Sequence, residues 1–258
     1  MVKTTETVSL VIPAYNEAAR IGASIAKLKK FLDGQPYKFE VIIVVEKSAD
    51  KTAEKTRAAV GRDRRFKIIA NPVHRGKGYA VRCGISHAAG DYIFFLDSDL
   101  STDLSAFSEF MAFFHAHQDV DLLIGSRAHK KSQVLVHQNA LRQWLGGCFN
   151  LAVRTLTMRE LKDTQCGFKA FRKPAAKDIF KSQVLDGFAF DVEVLLIARA
   201  KGYKAAALPV IWANSGGSTV NFDASFQMLK DLIGLKRHRP ELKKPHKSSS
   251  VFLLETDG

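Results

Sequence analysis

Asp97 and Asp99 are the residues whose type and spacing carry the plainest chemistry. They stand on either side of Ser98, directly after the apolar run Phe94, Phe95 and Leu96. Two carboxylates delivered together at the rim of a sheet offer the hard oxygen ligands that Mg2+ or Mn2+ takes, and such an ion bridges protein carboxylates to phosphate oxygens. An isolated D-x-D also serves as a solvated turn or a helix cap. The apolar strand that precedes this one favours the metal.

A second cluster lies upstream, where residues 74–79 read HRGKGY just after another apolar run and open a helical pattern. Glycines at such a point let backbone amides approach a phosphate, and Arg75 and Lys77 add positive charge. The segment lacks the GKS or GKT ending of a P-loop. Glycine and lysine before a helix are also common surface chemistry.

The elements that must position these groups follow from periodicity. Residues 8–13, 39–45, 66–70, 92–96 and 121–124 are short β-branched or aromatic runs bounded by polar or turn residues, which predicts strands. Between them, residues 21–32, 52–60, 76–89 and 104–116 repeat apolar side chains at helical spacing. Strands alternating with helices imply βαβ units, hence an α/β fold with a mostly parallel central sheet covered on both faces. Ligands of such sheets sit beyond the carboxyl ends of the strands. Here those ends are polar: Pro13 to Glu17 after the first strand, Glu46 to Asp50 after the second, Asp97 to Asp99 after the fourth. Beyond residue 125 the pattern loosens. It predicts a helix at 136–156, a loop and short strand at 163–171, a helix at 190–200, a strand at 205–212 and a last helix at 223–235. We divide the chain into one domain, 1–237, with halves at 8–125 and 126–237. A basic, mobile tail is expected at 238–258.

Composition sets the outer limits. With 258 residues, 46% hydrophobic and 25% charged, the chain has the make-up of a folded globular protein. No stretch approaches the roughly 20 apolar residues of a spanning helix, and no signal peptide is apparent, so the expected location is the cytoplasm. Cys83, Cys148 and Cys166 are widely spaced and predict neither a disulfide framework nor a zinc site. The eight histidines show no ligand spacing. A formal net charge of +13 predicts attraction to nucleic acid, an anionic lipid surface or phosphorylated substrates. No nucleic-acid motif accompanies it, so nucleic acid is not expected as a partner. Nothing in the sequence sets the oligomeric state.

Taken in order, the runs VIPAYNE at 11–17, NPVHRGKG at 71–78 and the D-S-D at 97–99 resemble the family 2 inverting glycosyltransferases of GT-A fold, a Rossmann-like architecture. Within that family the chain most resembles the polyprenyl-phosphate sugar synthases, in particular the dolichyl-phosphate glucosyltransferase branch. DTQCGFK at 163–169, FAFDVE at 188–193, LPVIW at 208–212 and GSTV at 217–220 carry this narrower likeness.

The resemblance implies metal-dependent transfer of a hexose, glucose before mannose, from a nucleotide-sugar donor, UDP-glucose in first place, bound by the half at 8–125, to a polyprenyl-phosphate acceptor bound by the half at 126–237. Pro13, Tyr15 and Glu17 would line the nucleotide pocket, Glu46 and Asp50 would approach base and ribose, and Lys77 would lie near the base or phosphates. Asp97, Ser98 and Asp99 would meet the donor, with Asp97 and Asp99 on the metal. Arg127 and Arg142 would meet phosphate groups, a task that suits the guanidinium fork, and Gln165, Lys169 and Asp191 would sit near sugar and acceptor. The reaction implied is direct displacement with inversion. A lipid phosphate needs no general base, whereas an alcohol acceptor needs one, and Asp191 is then the candidate. Val45, Glu46, Lys47 and Ser48 stand where many relatives carry two aspartates followed by Gly and Ser, which leaves the base open; Ser101 in place of an amide side chain weighs against mannose. Alternatives are a soluble acceptor, a GDP-mannose donor, a nucleotidyltransferase or a nucleic-acid-binding protein. The apolar and basic residues around 228–237 suggest peripheral contact with the cytoplasmic membrane face, against core packing as the alternative.

Overall fold

A computed structural model describes residues 5–136, 162–213, 222–239, 242 and 253–254. Strands β1 (Thr7–Ala14), β2 (Lys38–Val45), β3 (Phe66–Ala70), β4 (Tyr92–Leu96) and β5 (Leu122–Ser126) alternate with helices α1 (Ile21–Asp33), α2 (Thr52–Val60), α3 (Lys77–His87) and α4 (Ala106–Ala116). After β6 (Gln133–Val136) come β7 (Phe168–Arg172), α5 (Lys173–Ser182), α6 (Phe190–Lys201), β8 (Ala205–Pro209), β9 (Ile211–Ala213), α7 (Phe222–His238) and β10 (Leu253–Leu254).

Eight strands form one sheet in the order β10-β8-β5-β7-β4-β1-β2-β3, and β6 pairs with β9 apart from it. Every pairing of the large sheet is parallel except those of β7, which is antiparallel to both β4 and β5. Because a strand buried on both faces sends alternate side chains to opposite sides, Leu10 and Ile12 of β1 join α1 and α4 in one core, with Phe107, Phe110 and Phe114. Val11 points to the other core, shared by α3, α5, α6 and α7. Pro13 fits in β1 because β1 pairs with β4 only from Val8 to Val11, so its missing N–H costs no hydrogen bond on that side.

The expected alternation of β1 to β5 with α1 to α4 matches these elements to within a few residues. The loop and short strand predicted at 163–171 are present as expected, the strand being β7, which lies inside the large sheet. Three differences stand out. The predicted strand 205–212 is two strands, interrupted at Val210, and its second part turns into the small sheet. Helix α5, with Pro174 in its first turn and Ala175, Ala176, Ile179 and Phe180 buried, had no counterpart in the prediction. The basic segment 238–258, expected to be mobile, is held at described points: Arg239 donates to the Ser182 carbonyl at 2.7 Å, Leu242 is buried in the core, and Leu253–Leu254 pairs with β8. The predicted helix 136–156 lies almost wholly outside the described residues.

Candidate active site

The carboxyl ends of β1, β2 and β4 meet the start of α3 and the start of α6. Asp97 follows the last residue of β4, and its Oδ1 pairs with Lys77 Nζ at 2.8 Å. Its backbone N–H donates to the Gly167 carbonyl at 3.1 Å, which ties the tip of β4 to the segment entering β7. A Cβ on Gly167 would fall 1.8 Å from Asp97 Oδ2, so the carboxylate lies where only glycine leaves room. Asp99 Oδ1 accepts the Ser101 N–H at 3.0 Å. Leu100 between them has φ of 50°, an unfavourable conformation for a leucine. Its side chain is buried in a small apolar gap under α1 with Ile12, Ile21, Ile25 and Leu28, and that burial offsets the strain. Ser98 lines the same gap and is buried, so it sits among α1 packing groups.

Positive groups surround the acid pair. Lys77 is the first residue of α3, with its side chain 20% exposed. Burial pulls its pKa down, but the charges of Asp97, Asp191 and Asp99 outweigh that and hold it above the usual lysine value. Arg20 is also held above its usual value, first by its hydrogen bond to Glu17 and further by Asp99 and Asp97. Deeper in, Lys169 on β7 and Asp191 in the first turn of α6 form an ion pair whose side chains are 1% and 4% exposed. Lys169 Nζ also donates to the Cys166 carbonyl at 2.7 Å. The Phe95 ring lies 5.2 Å from Lys77 Nζ and 5.8 Å from Lys169 Nζ, under both ammonium groups.

Arg127, which follows β5, donates from Nε and Nη2 to the two oxygens of Asp163, each at 2.8 Å, and its backbone N–H adds a third bond at 2.9 Å. Burial would lift the Asp163 carboxyl, but Arg127 more than compensates and holds it below the usual range. The guanidinium stands 5.6 Å from the Trp212 ring. Gln165 donates from its backbone to Asp163 and from its amide to the Met228 sulfur.

Several expected donor contacts take other partners. The Glu46 side chain is 2% exposed and accepts from Asn71 Nδ2 (2.6 Å) and from the backbone N–H groups of Arg75 and Gly76, with His74 Nδ1 at 3.0 Å. A carboxylate so occupied is the anchor of the 71–76 segment, in place of the base contact expected of it. Asp50 accepts from Ala18 N–H and from the Thr52 N–H and hydroxyl, joining the β1–α1 turn to the start of α2. Glu17 pairs with Arg20. Tyr15 stacks on His74, centroids 3.8 Å apart. Asn16, at φ of 53°, bonds Ser48 and Ala49. The glycines of HRGKG admit protein where phosphate had been expected: a Cβ on Gly76 would lie 2.5 Å from the Asp186 carbonyl oxygen, and one on Gly78 would lie 2.4 Å from that of Leu185.

The structure thus brings Asp97, Asp99, Lys77, Asp191 and Lys169 together, with Glu17 and Arg20 beside the acid pair. Arg142 lies outside the described residues. Arg20 and Asp186 escaped the sequence reading, and Asp163 entered it only as the first residue of DTQCGFK, without a role; for Arg20 the i,i+3 spacing from Glu17 was the one local signal. Two hard carboxylates suit Mg2+ or Mn2+, which Asp97 and Asp99 would hold. No cluster of three or more His, Cys, Asp or Glu side chains suited to a metal occurs among the described residues.

The profile of glycosyl transferase family 2 matches residues 9–180. A dolichyl-phosphate β-glucosyltransferase of Dictyostelium discoideum is 32% identical over 239 residues, covering 88% of this chain and 73% of that protein. The Saccharomyces cerevisiae enzyme of the same name is 32% identical over 246 residues, 87% of this chain and 72% of its own. Among solved structures, glucosyl-3-phosphoglycerate synthase of Mycobacterium tuberculosis, in complex with Mn2+, UDP and phosphoglyceric acid, superposes with a TM-score of 0.65 at 18% identity. It covers 94% of this chain and 80% of that one. This last likeness is one of fold.

Proposed function

Since the chain belongs to glycosyl transferase family 2, has a GT-A fold and is a glycosyltransferase, we propose that it transfers glucose from UDP-glucose to a polyprenyl phosphate with inversion. The observation that carries this reading is the acid pair at the tip of β4 with Lys77 against it, in a chain that aligns along most of its length with dolichyl-phosphate β-glucosyltransferases.

Asp97 and Asp99 would hold Mg2+ or Mn2+, which when bound supplies neutralisation of the leaving diphosphate. Lys77 and Arg20 add fixed positive charge beside it, placed before the reaction begins, and such preorganised charge is the largest usual source of acceleration. Arg127, held by Asp163 and within reach of the charge of Asp97, would meet phosphate. Asp191 is committed to Lys169 in a buried pair, which suits it poorly to accept a proton. An acceptor that is already an anion needs no such base, and this supports a phosphate acceptor over an alcohol. Tyr15 and His74, stacked beside the β1 end, would line the nucleotide pocket.

Such an acceptor resides in a bilayer. No helix among the described residues is long and apolar enough to cross a membrane. Helix α7 does carry exposed Phe226 and Ile233 on either side of Lys230, a face that supports peripheral attachment.

The test is transfer of labelled glucose from UDP-glucose to polyprenyl phosphate, with a soluble phosphorylated alcohol and GDP-mannose as controls. Transfer to the lipid should stop on chelation, return with Mn2+, and fall by about 100-fold or more in Asp99→Asn. Undiminished turnover by that variant, or transfer confined to the soluble acceptor, would overturn the reading.

A further inference from the structure

We propose that Asp186 is a positioning residue for glucosyl transfer: the loop between α5 and α6 clamps the Lys77-bearing segment through Asp186 and so fixes Lys77 between Asp97 and Asp191. This builds on the proposed reaction for its kinetic consequence, though not for the clamp itself.

Asp186 accepts from Arg75 Nη2 at 2.7 Å and Nε at 3.1 Å, and from Arg82 Nη2 at 2.7 Å. One carboxylate therefore holds two arginines, one before and one within α3. Both guanidinium groups lie over the Tyr79 ring, at 4.0 and 5.4 Å from its centroid. The Asp186 carbonyl accepts the Tyr79 N–H at 3.1 Å. Gly76 and Gly78 let the two backbones touch, since a Cβ at either position would overlap carbonyl oxygens of residues 185–187. Charge-assisted bonds on both sides of a backbone contact are strong and directional.

The clamp is itself braced. Glu193, fully buried in α6, accepts the N–H groups of Val184 and Leu185, the latter at 2.8 Å. The Gln183 amide donates to the Leu185 carbonyl at 2.6 Å, and Arg82 donates to the Gln183 carbonyl at 3.1 Å. On the far side Glu46 holds Arg75 and Gly76 by their amides. Lys77 is the next residue, so it emerges from a segment gripped by two carboxylates on separate elements. The gripping loop leads into α6, whose first turn presents Asp191. One loop thus sets Lys77 and Asp191 together, and through Lys77 the distance of both from Asp97. Small displacements of such a constellation are costly to a reaction that depends on alignment.

The deciding experiment is a double-mutant cycle. Asp186→Ala should lower kcat for glucosyl transfer by roughly tenfold with the KM for UDP-glucose changed by less than about twofold, while in a Lys77→Met background the same change should cost less than about twofold. Lys77→Arg serves as the second background where Lys77→Met leaves no measurable turnover. Equal losses in both backgrounds, or no loss in the parent, would overturn the proposal, because a general weakening of the fold acts alike with and without Lys77. Amide hydrogen exchange supplies a readout independent of the reaction. Asp186→Ala should accelerate exchange at Tyr79 by about tenfold, with a melting temperature close to the parent's. Unchanged exchange refutes the clamp. If the parent transfers no glucose at all, the assigned reaction fails and exchange alone judges Asp186.

Discussion

The Asp97 carboxylate touches Lys77 on one side and the Cα of Gly167 on the other, and the second contact is as informative as the first. Gly167 has no unusual backbone angle; what requires glycine there is the carboxylate resting where a Cβ would be. Gly167→Ala should therefore displace Asp97 without disturbing the core. We expect transfer to fall by about 100-fold, the order of loss that small misplacements of reacting groups bring. Calorimetric titration with UDP and Mn2+ should show weaker binding while thermal melting stays near the parent's. Parental affinity would mean that Asp97 does not hold the nucleotide or its cation. At this scale the sequence was legible where a residue's neighbours along the chain define it: the carboxylates after Leu96 could be placed at a strand tip from the apolar run before them. It was not legible where distant residues choose the partner. Glu46 reads as an exposed acceptor at a strand end, yet four donors from residues 71–76 enclose it. Arg75 reads as a phosphate group's partner, yet Asp186, more than a hundred positions on, holds it.

Among the elements, β1 to β5 and α1 to α4 were readable because each buries one continuous run or one helical stripe. Ile21, Ile25, Leu28 and Leu32 describe the buried face of α1 without reference to anything else. Strand β7 was only half readable, since FKAFR is short and its antiparallel place between β4 and β5 depends on pairings no local pattern encodes. Helix α5 escaped because it is only ten residues long and opens on Pro174, and two of the four residues on its buried stripe, Ala175 and Ala176, are small. What secures β7's approach is the pair joining the end of β5 to residue 163. Asp163 has its pKa depressed in the fold, so its contribution is present above its unfolded value of about 4 and is lost as pH falls through the lower folded value. Asp163→Asn should cost about 2 kcal/mol at neutral pH, the usual worth of hydrogen bonds to a charged group. A chain of this size should then melt roughly 4–8 °C lower. Melting curves of parent and variant should converge as the pH falls through the lowered folded value. A gap that persists unchanged in acid would mean that the charge pair is not what joins these elements.

For the molecule as a whole, 39 Lys and Arg against 26 Asp and Glu leave a formal charge of +13. Four of those acids are engaged by five of the bases around the site, Asp163 by Arg127, Asp186 by Arg75 and Arg82, Asp191 by Lys169 and Glu17 by Arg20, which leaves the surplus nearly unchanged. The excess therefore faces outward, a conclusion open to the sequence, whereas the anion it serves was not, because phosphate on a nucleotide, a lipid or a nucleic acid attracts charge alike. The described fold adds one discriminating feature. Helix α7 buries Met228, Leu232 and Leu235 against the core and leaves Phe226, Lys230, Ile233 and Arg237 exposed, so apolar and cationic groups share its outer side. Each basic residue near an anionic leaflet is worth about 1 kcal/mol, and apolar side chains add burial that salt does not screen. Vesicles containing anionic lipid should thus sediment the protein at about 0.1 M salt and release most of it toward 1 M, where the screening length shrinks from about 10 Å to about 3 Å. Neutral vesicles should retain little, and Phe226→Ser with Ile233→Ser should weaken the anionic binding without altering its salt slope. Absence of binding to anionic vesicles at low salt would show that the surplus charge serves soluble phosphates, and equal binding to neutral ones would show that apolar insertion dominates.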